Sequence, residues 1–168
     1  SYEELAGDAD YVMIGKVVEE LGVKYEFPIM TENEDGTPKE LSKPYTEYSV
    51  EVIENLKGEL SQEEPIIISK DGGITKDGKF CELHECDVLP VEGNEYVFYI
   101  YAQKDGSNLA SGPNSSIPLS DNHKELSTIS EEAMLDRESI LEKVRNGVAN
   151  QIDTGSEKGI SKDDASVK

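Results

Sequence analysis

Cys81, His84 and Cys86 fall within the six residues "CELHEC"; they are the chain's only two cysteines and one of its two histidines. All three are zinc-ligand types. A structural zinc site takes four ligands, however, and no second Cys-x-x-Cys or His pair is present, so His123 or a carboxylate would have to complete the tetrahedron. Thiol–disulfide exchange uses Cys-x-x-Cys at a helix start, whereas this spacing is Cys-x4-Cys among acidic residues, which disfavour a thiolate. A disulfide and two inert thiols remain. An extended strand would hold residues five apart at about 16 Å and on opposite faces, so only a turn through Glu82–Glu85 brings the Cα atoms into the roughly 4.4–6.8 Å window of a disulfide.

Other catalytic signatures are missing: the sequence contains no HExxH, no Gly-x-Ser-x-Gly and no Gly-rich phosphate loop. An EF-hand loop counted back from Gly36 would place Thr31 and Ser42 at its first and last ligand positions, and neither supplies a carboxylate. The pairs Glu19–Glu20, Glu63–Glu64 and Glu131–Glu132 read as solvated surface rather than glycosidase acids, because neighbours on a strand point to opposite faces. Tyr96, Phe98, Tyr99 and Tyr101 could stack bases or sugars, but such a run is more often core. Charge narrows the choice of partner. The chain has 36 Asp and Glu against 16 Lys and Arg, net −20, and residues 1–120 alone hold 9 Lys against 25 Asp and Glu, net −16. Such a surface repels phosphate backbones and anionic lipid, so no nucleic-acid partner is expected. No segment reaches the roughly 20 apolar residues that span a bilayer, and no direct membrane insertion is expected. The start at Ser1 fits a mature form whose export signal has been removed, and fits a trimmed chain equally.

The elements that would position these residues are mostly strands. "SYEELAGDA" carries a capping box, with Ser1 and Glu4 able to satisfy each other's backbone N–H groups, and predicts a short N-terminal helix. "DYVMIGKVVEE" is a β-favouring run with Gly15 as the hinge of a long first strand. Residues 24–44 hold prolines and an "ENEDG" turn and read as a long connection. In "YTEYSVEVIENLKGE", Thr46, Tyr48, Val50 and Val52 share one face, with a bulge before the Lys57-Gly58 turn. "PIIISK" is a short apolar strand, 79–84 a weak one, and "EYVFYIYA" a central strand apolar on both faces. Asp105-Gly106 turns into weaker segments at 107–111 and 115–119. Beyond Ser120, Ile129, Ala133, Ile140, Leu141, Val144 and Val148 recur at helical spacing. Ser130 as N-cap and Gly147 as stop predict a helix over about 131–146. The expected fold is mainly β: a small five- or six-stranded OB-like Greek-key barrel (1–120), a C-terminal helix packed on it (121–148) and a polar, flexible tail (149–168).

The succession "ADYVMIGKVVE", "YTEYSVEVIENLKGE", "IIISKDGG" and "VEGNEYVFYIYA" over about residues 5–119 resembles secreted and lipid-anchored proteins of Gram-positive bacteria. More distantly it is similar to netrin-like modules and the inhibitory domain of tissue inhibitors of metalloproteinases. The resemblance implies an exported, partner-binding barrel without an active site or cofactor, whose partner is another protein or a cell-wall component. Zinc-chelating inhibition does not carry over, since those inhibitors use an N-terminal cysteine where this chain has Ser1. An oxidising compartment implies a Cys81–Cys86 disulfide, worth about 2 kcal/mol, with His84 a bystander. The inhibitors' contact ridge maps onto Ser1–Glu4, the 24–44 connection and the 71–79 turn. Tyr25, Phe27, Ile29 and Met30 are then expected to be exposed apolar contact residues rimmed by Glu32, Glu34 and Asp35. A metal-dependent or carboxylate-based hydrolase, with a site assembled from scattered carboxylates, is the alternative.

Overall fold

Strand parity explains how one short chain builds two cores. The computed structural model describes residues 1–119 and 131–167; Ile129, Ser130 and His123, invoked above, lie outside the described residues. The central strand β6 (Glu95–Ala102) turns Tyr96, Phe98 and Ile100 into one apolar cluster and Val97 and Tyr99 into another, as period-two alternation requires. β1 (Tyr11–Glu32) divides in the same way, with Met13 and Val17 inward and Val12 and Ile14 outward. That is why both segments are apolar on both faces.

The inner cluster fills a barrel. β1 pairs with β2 (Pro38–Lys57), β2 with β3 (Ile66–Asp71), β3 in parallel with β7 (Asn108–Ala110), β7 with β6, and β6 back to β1, so five strands close a ring. β8 (Ser116–Pro118) adds to β6 as a sixth strand. This is the OB-like Greek-key barrel. Gly15 lies where β1 pairs on both sides, opposite Val52 and Tyr96; a Cβ there would come within 2.6 Å of Val50 Cγ1.

The outer cluster is covered by two helices. α1 (Tyr2–Asp8) opens with both halves of the Ser1–Glu4 capping box. α2 (Glu131–Ala149) packs Val144, with Ile140, Leu141 and Val148, against Tyr2, Leu5 and Ala6 of α1 and the outer residues of β1 and β6. The helix does not stop at Gly147. That glycine instead lets α2 approach α1, since a Cβ would stand 2.7 Å from the Tyr2 carbonyl oxygen.

Three further expectations are narrowed or overturned. The weak strand at 79–84 is only β5 (Cys81–Glu82), which pairs with β4 (Gly73–Ile74) in a separate two-stranded flap. The 24–44 segment is not a loop: β1 and β2 stay paired from Lys24↔Tyr45 out to Glu32↔Pro38, forming a two-stranded ribbon. Pro28 and Pro38 fit because each ribbon strand has only one paired edge there, and at Pro44 the second edge uses only the carbonyl, which accepts from the Gly72 N–H at 3.0 Å. The polar tail, which composition alone reads as flexible, is held by the barrel. After Ala149 the chain crosses the barrel as a strap ending in a 3-10 turn, Ala165–Val167, with Ser161 and Asp164 buried. The Ser161 N–H donates to the Tyr11 hydroxyl at 3.0 Å, Tyr11 to Asp164 at 2.5 Å, and Ser161 Oγ to Asn108 Oδ1 at 2.6 Å. Asn108 Nδ2 donates to Asp163 at 2.9 Å. Composition alone suggested solvent, but every one of these polar groups finds a partner on the barrel.

Candidate functional site

The flap carrying "CELHEC" is fixed to the barrel by two carboxylates. Lys70 shares the inward parity of Ile66 and Ile68, so its side chain is fully buried. Its ammonium reaches Asp87 at 2.9 Å, the Gly112 carbonyl at 2.8 Å and Ser115 Oγ at 2.8 Å, one partner for each of its three protons. Burial holds the Lys70 pKa below the usual lysine value, against the opposing pull of Asp87. Next in sequence, buried Asp71 receives Lys43 at 2.7 Å, His84 Nε2 at 2.8 Å and Ser111 Oγ at 3.2 Å, all on Oδ2. Burial alone would raise the Asp71 pKa, but Lys43 and His84 outweigh it and hold the carboxyl below its usual range.

His84 is therefore no bystander. Its ring nitrogen is committed to Asp71, and Ser111 also donates to Asp71 rather than to the imidazole, so the three form a clamp and not a nucleophile–base relay. The glycines after Asp71 make the clamp possible: Gly72 and Gly73 have φ of 124° and 144°, where only glycine is comfortable. Gly72 folds back to accept from the Thr46 hydroxyl at 2.8 Å.

Cys81 and Cys86 are two free, exposed thiols, not the expected disulfide. The reversal starts too late. Cys81 remains extended in β5, paired with Ile74, while the turn closes only between His84 and Asp87, with Cys86 at φ 63° inside it. Among the described residues, no group of three His, Cys, Asp or Glu side chains is placed to share a metal ion.

The ribbon is the second feature. Phe27, Ile29 and Met30 are 66%, 65% and 66% exposed, although they belong to paired strands. Pairing alone does not make them core, because among the described residues nothing buries these three side chains. Ile29 stands opposite Leu41, itself exposed, as a cross-strand apolar pair. Tyr25 differs: it is half-buried, and its hydroxyl donates to the Ile74 carbonyl at 3.0 Å. This bond and the Lys76–Glu40 ion pair at 3.0 Å join the ribbon to the flap. Ser1–Glu4 does not join them. It occupies the α1–α2 corner, where the Glu3 carbonyl accepts from the strap's Ile152 N–H at 3.0 Å. The aromatic run in β6 is core, with Tyr96, Phe98 and Tyr99 buried.

Neither a search of family models nor one of curated proteins gives a match for this chain. Sequence reading missed the Lys70–Asp87 pair and the Asp71 clamp. A signal was present for the first: in "PIIISK" the lysine falls on the same parity as two inward isoleucines, which demands a buried counter-ion.

Proposed function

We propose that this chain is an exported, non-enzymatic binding domain of a Gram-positive cell surface, related to the netrin-like barrels, whose ribbon docks a partner protein. One observation carries the reading: the exposed Ile29–Leu41 pair and Met30 stand on a ribbon that the barrel does not need in order to close. Stability gives no reason to keep three large apolar side chains in water. Residues 18–44 also hold 7 acidic against 3 basic residues, so the complementary surface is apolar at its centre and basic at its rim. A second copy is disfavoured, because two chains of net −20 repel. Recognition uses the ribbon's faces rather than its edges. Pro28, Pro38 and Pro44 remove backbone donors, and charged neighbours blunt strand addition.

The test is a photo-crosslinking amino acid at position 30, with position 63 as control, on cells displaying the chain. One dominant basic protein at position 30, lost in the Ile29→Ser/Leu41→Ser variant, supports the reading. The same adducts at both positions would sink it, as would turnover of a substrate abolished by Asp71→Asn.

A further inference from the structure

We propose that the cleft between the root of the ribbon and strands β3 and β7 binds saccharide, taking a neutral sugar of about one or two rings against the Phe27 ring. This goes beyond the docking of a protein by the ribbon and does not rest on it. The cleft encloses about 290 Å³, at the small end of the range for small-molecule sites.

Its floor is apolar and its rim polar. Phe27 and Tyr45 meet edge to face with centroids 6.4 Å apart, and Ile67 and Leu109 continue the apolar surface. Phe27 adopts φ 54°, a left-handed conformation that a bulky side chain avoids. The strain has an evident cause: the register shifts between Glu26↔Lys43 and Ile29↔Leu41, so Phe27 and Pro28 together oppose Ser42 in a bulge that re-aims the ring. The ring is thus held at an unfavourable backbone angle and still left mostly in solvent. Folding gains little from such an arrangement, whereas a ligand with an apolar face would.

The rim selects the ligand class. Lys24 pairs with Glu47 at 3.2 Å, which leaves Lys162 beside Glu26 and Asp105, so the cleft carries little net charge and asks for none. Ser107 occupies only Oδ1 of Asp105, and Gln103 spends Nε2 on the Tyr101 carbonyl at 2.9 Å. Asp105 Oδ2 and Gln103 Oε1 therefore remain as acceptors, with Lys162 Nζ and the Ser69 hydroxyl as donors. Neutral hydroxyls that both donate and accept, on a body with an apolar C–H face, match this set; a purely apolar or a strongly charged ligand does not.

The experiment is an NMR titration of the whole chain with N-acetylglucosamine, cellobiose and maltose, each to about 10 mM, enough to nearly saturate a site of Kd about 1 mM. A tetra-alanine peptide runs as the non-sugar arm. With at least one sugar, shifts are expected at Phe27, Tyr45, Ser69, 103–109 and Lys162. Phe27→Ala is expected to weaken binding about tenfold or more, with Phe27→Trp retaining it and Ile29→Ser/Leu41→Ser without effect. The inference is overturned by no shift at these residues with any of the three sugars, by equal affinity in Phe27→Ala, or by shifts with the peptide alone.

Discussion

The ribbon and the strap invert the usual relation between side-chain character and burial. Residues 150–167 are polar and look fit for solvent, yet they lie across the barrel with Ser161 and Asp164 buried; the ribbon is rich in large apolar residues, yet Phe27, Ile29 and Met30 stay exposed. The strap is placed by pairing: each buried polar group meets a complementary one, and a polar group so satisfied can be buried at little cost. Among the described residues, the ribbon's apolar groups Phe27, Ile29 and Met30 have no second surface to cover them. Hydrophobicity drives burial only where a partner face exists. The flap is joined to the ribbon through Tyr25 and Lys76 and to the barrel through Asp71 and Lys70.

The contrast can be broken most severely at Lys70. Lys70→Ala leaves Asp87 buried without its cation, and urea denaturation is expected to show a loss of about 3–5 kcal/mol. Lys70→Met combined with Asp87→Leu is expected to recover most of it, since an apolar pair of similar volume tolerates burial. Next comes the strap. Asp164→Ala removes the acceptor of the Tyr11 hydroxyl, whose pKa is pushed up to about 12 chiefly by burial and next by Asp164. The expected loss is about 1–3 kcal/mol, read from the same unfolding curves.

A smaller effect is expected from acid. The Asp71 pKa lies below the usual carboxylate value in the folded chain, so its contribution to stability is present above that usual value and is lost as pH falls through the depressed one. The protection of the flap amides against hydrogen exchange, taken relative to the intrinsic rate at each pH, is expected to fall below about pH 4, and Asp71→Asn to remove that fall. A flap whose protection stays constant through that range in the native chain would contradict the clamp. The smallest effect belongs to the ribbon: Ile29→Ser/Leu41→Ser is expected to leave the unfolding free energy within about 0.5 kcal/mol of the native chain. A larger loss would mean that the ribbon's apolar groups serve folding after all.

Much of the barrel was legible because period-two patterns and glycine-bearing turns act locally. The face shared by Thr46, Tyr48, Val50 and Val52 is buried as read, and β6 and α1 fall where "EYVFYIYA" and the Ser1–Glu4 box place them. The ribbon was misread as a loop because its prolines are strand breakers only where a backbone donor is needed, and an edge does not need it. The end of α2 was misread because Gly147 serves a helix–helix contact with Tyr2, invisible to a rule about caps. The strap, the Lys70–Asp87 pair and the His84–Asp71 bond depend on residues distant in sequence, and local pattern carries little information about them. The disulfide expectation failed for a local reason: the turn could be anticipated, but not that it would begin at His84 and leave Cys81 in a strand.

The bond from Tyr11 to Asp164 joins positions 153 residues apart. Closing so long a loop has an entropic cost that few contacts offset until the barrel itself stands, so the strap is expected to dock after the rate-limiting step of folding. During synthesis Tyr11 is made before Asp164 and must wait, its hydroxyl in water, until Asp164 has emerged. A strap docked so late is expected to slow departure from the native state rather than speed arrival, as a latch on the unfolding rate: weakening it is expected to shorten the lifetime of the folded chain while the folding rate stays much the same.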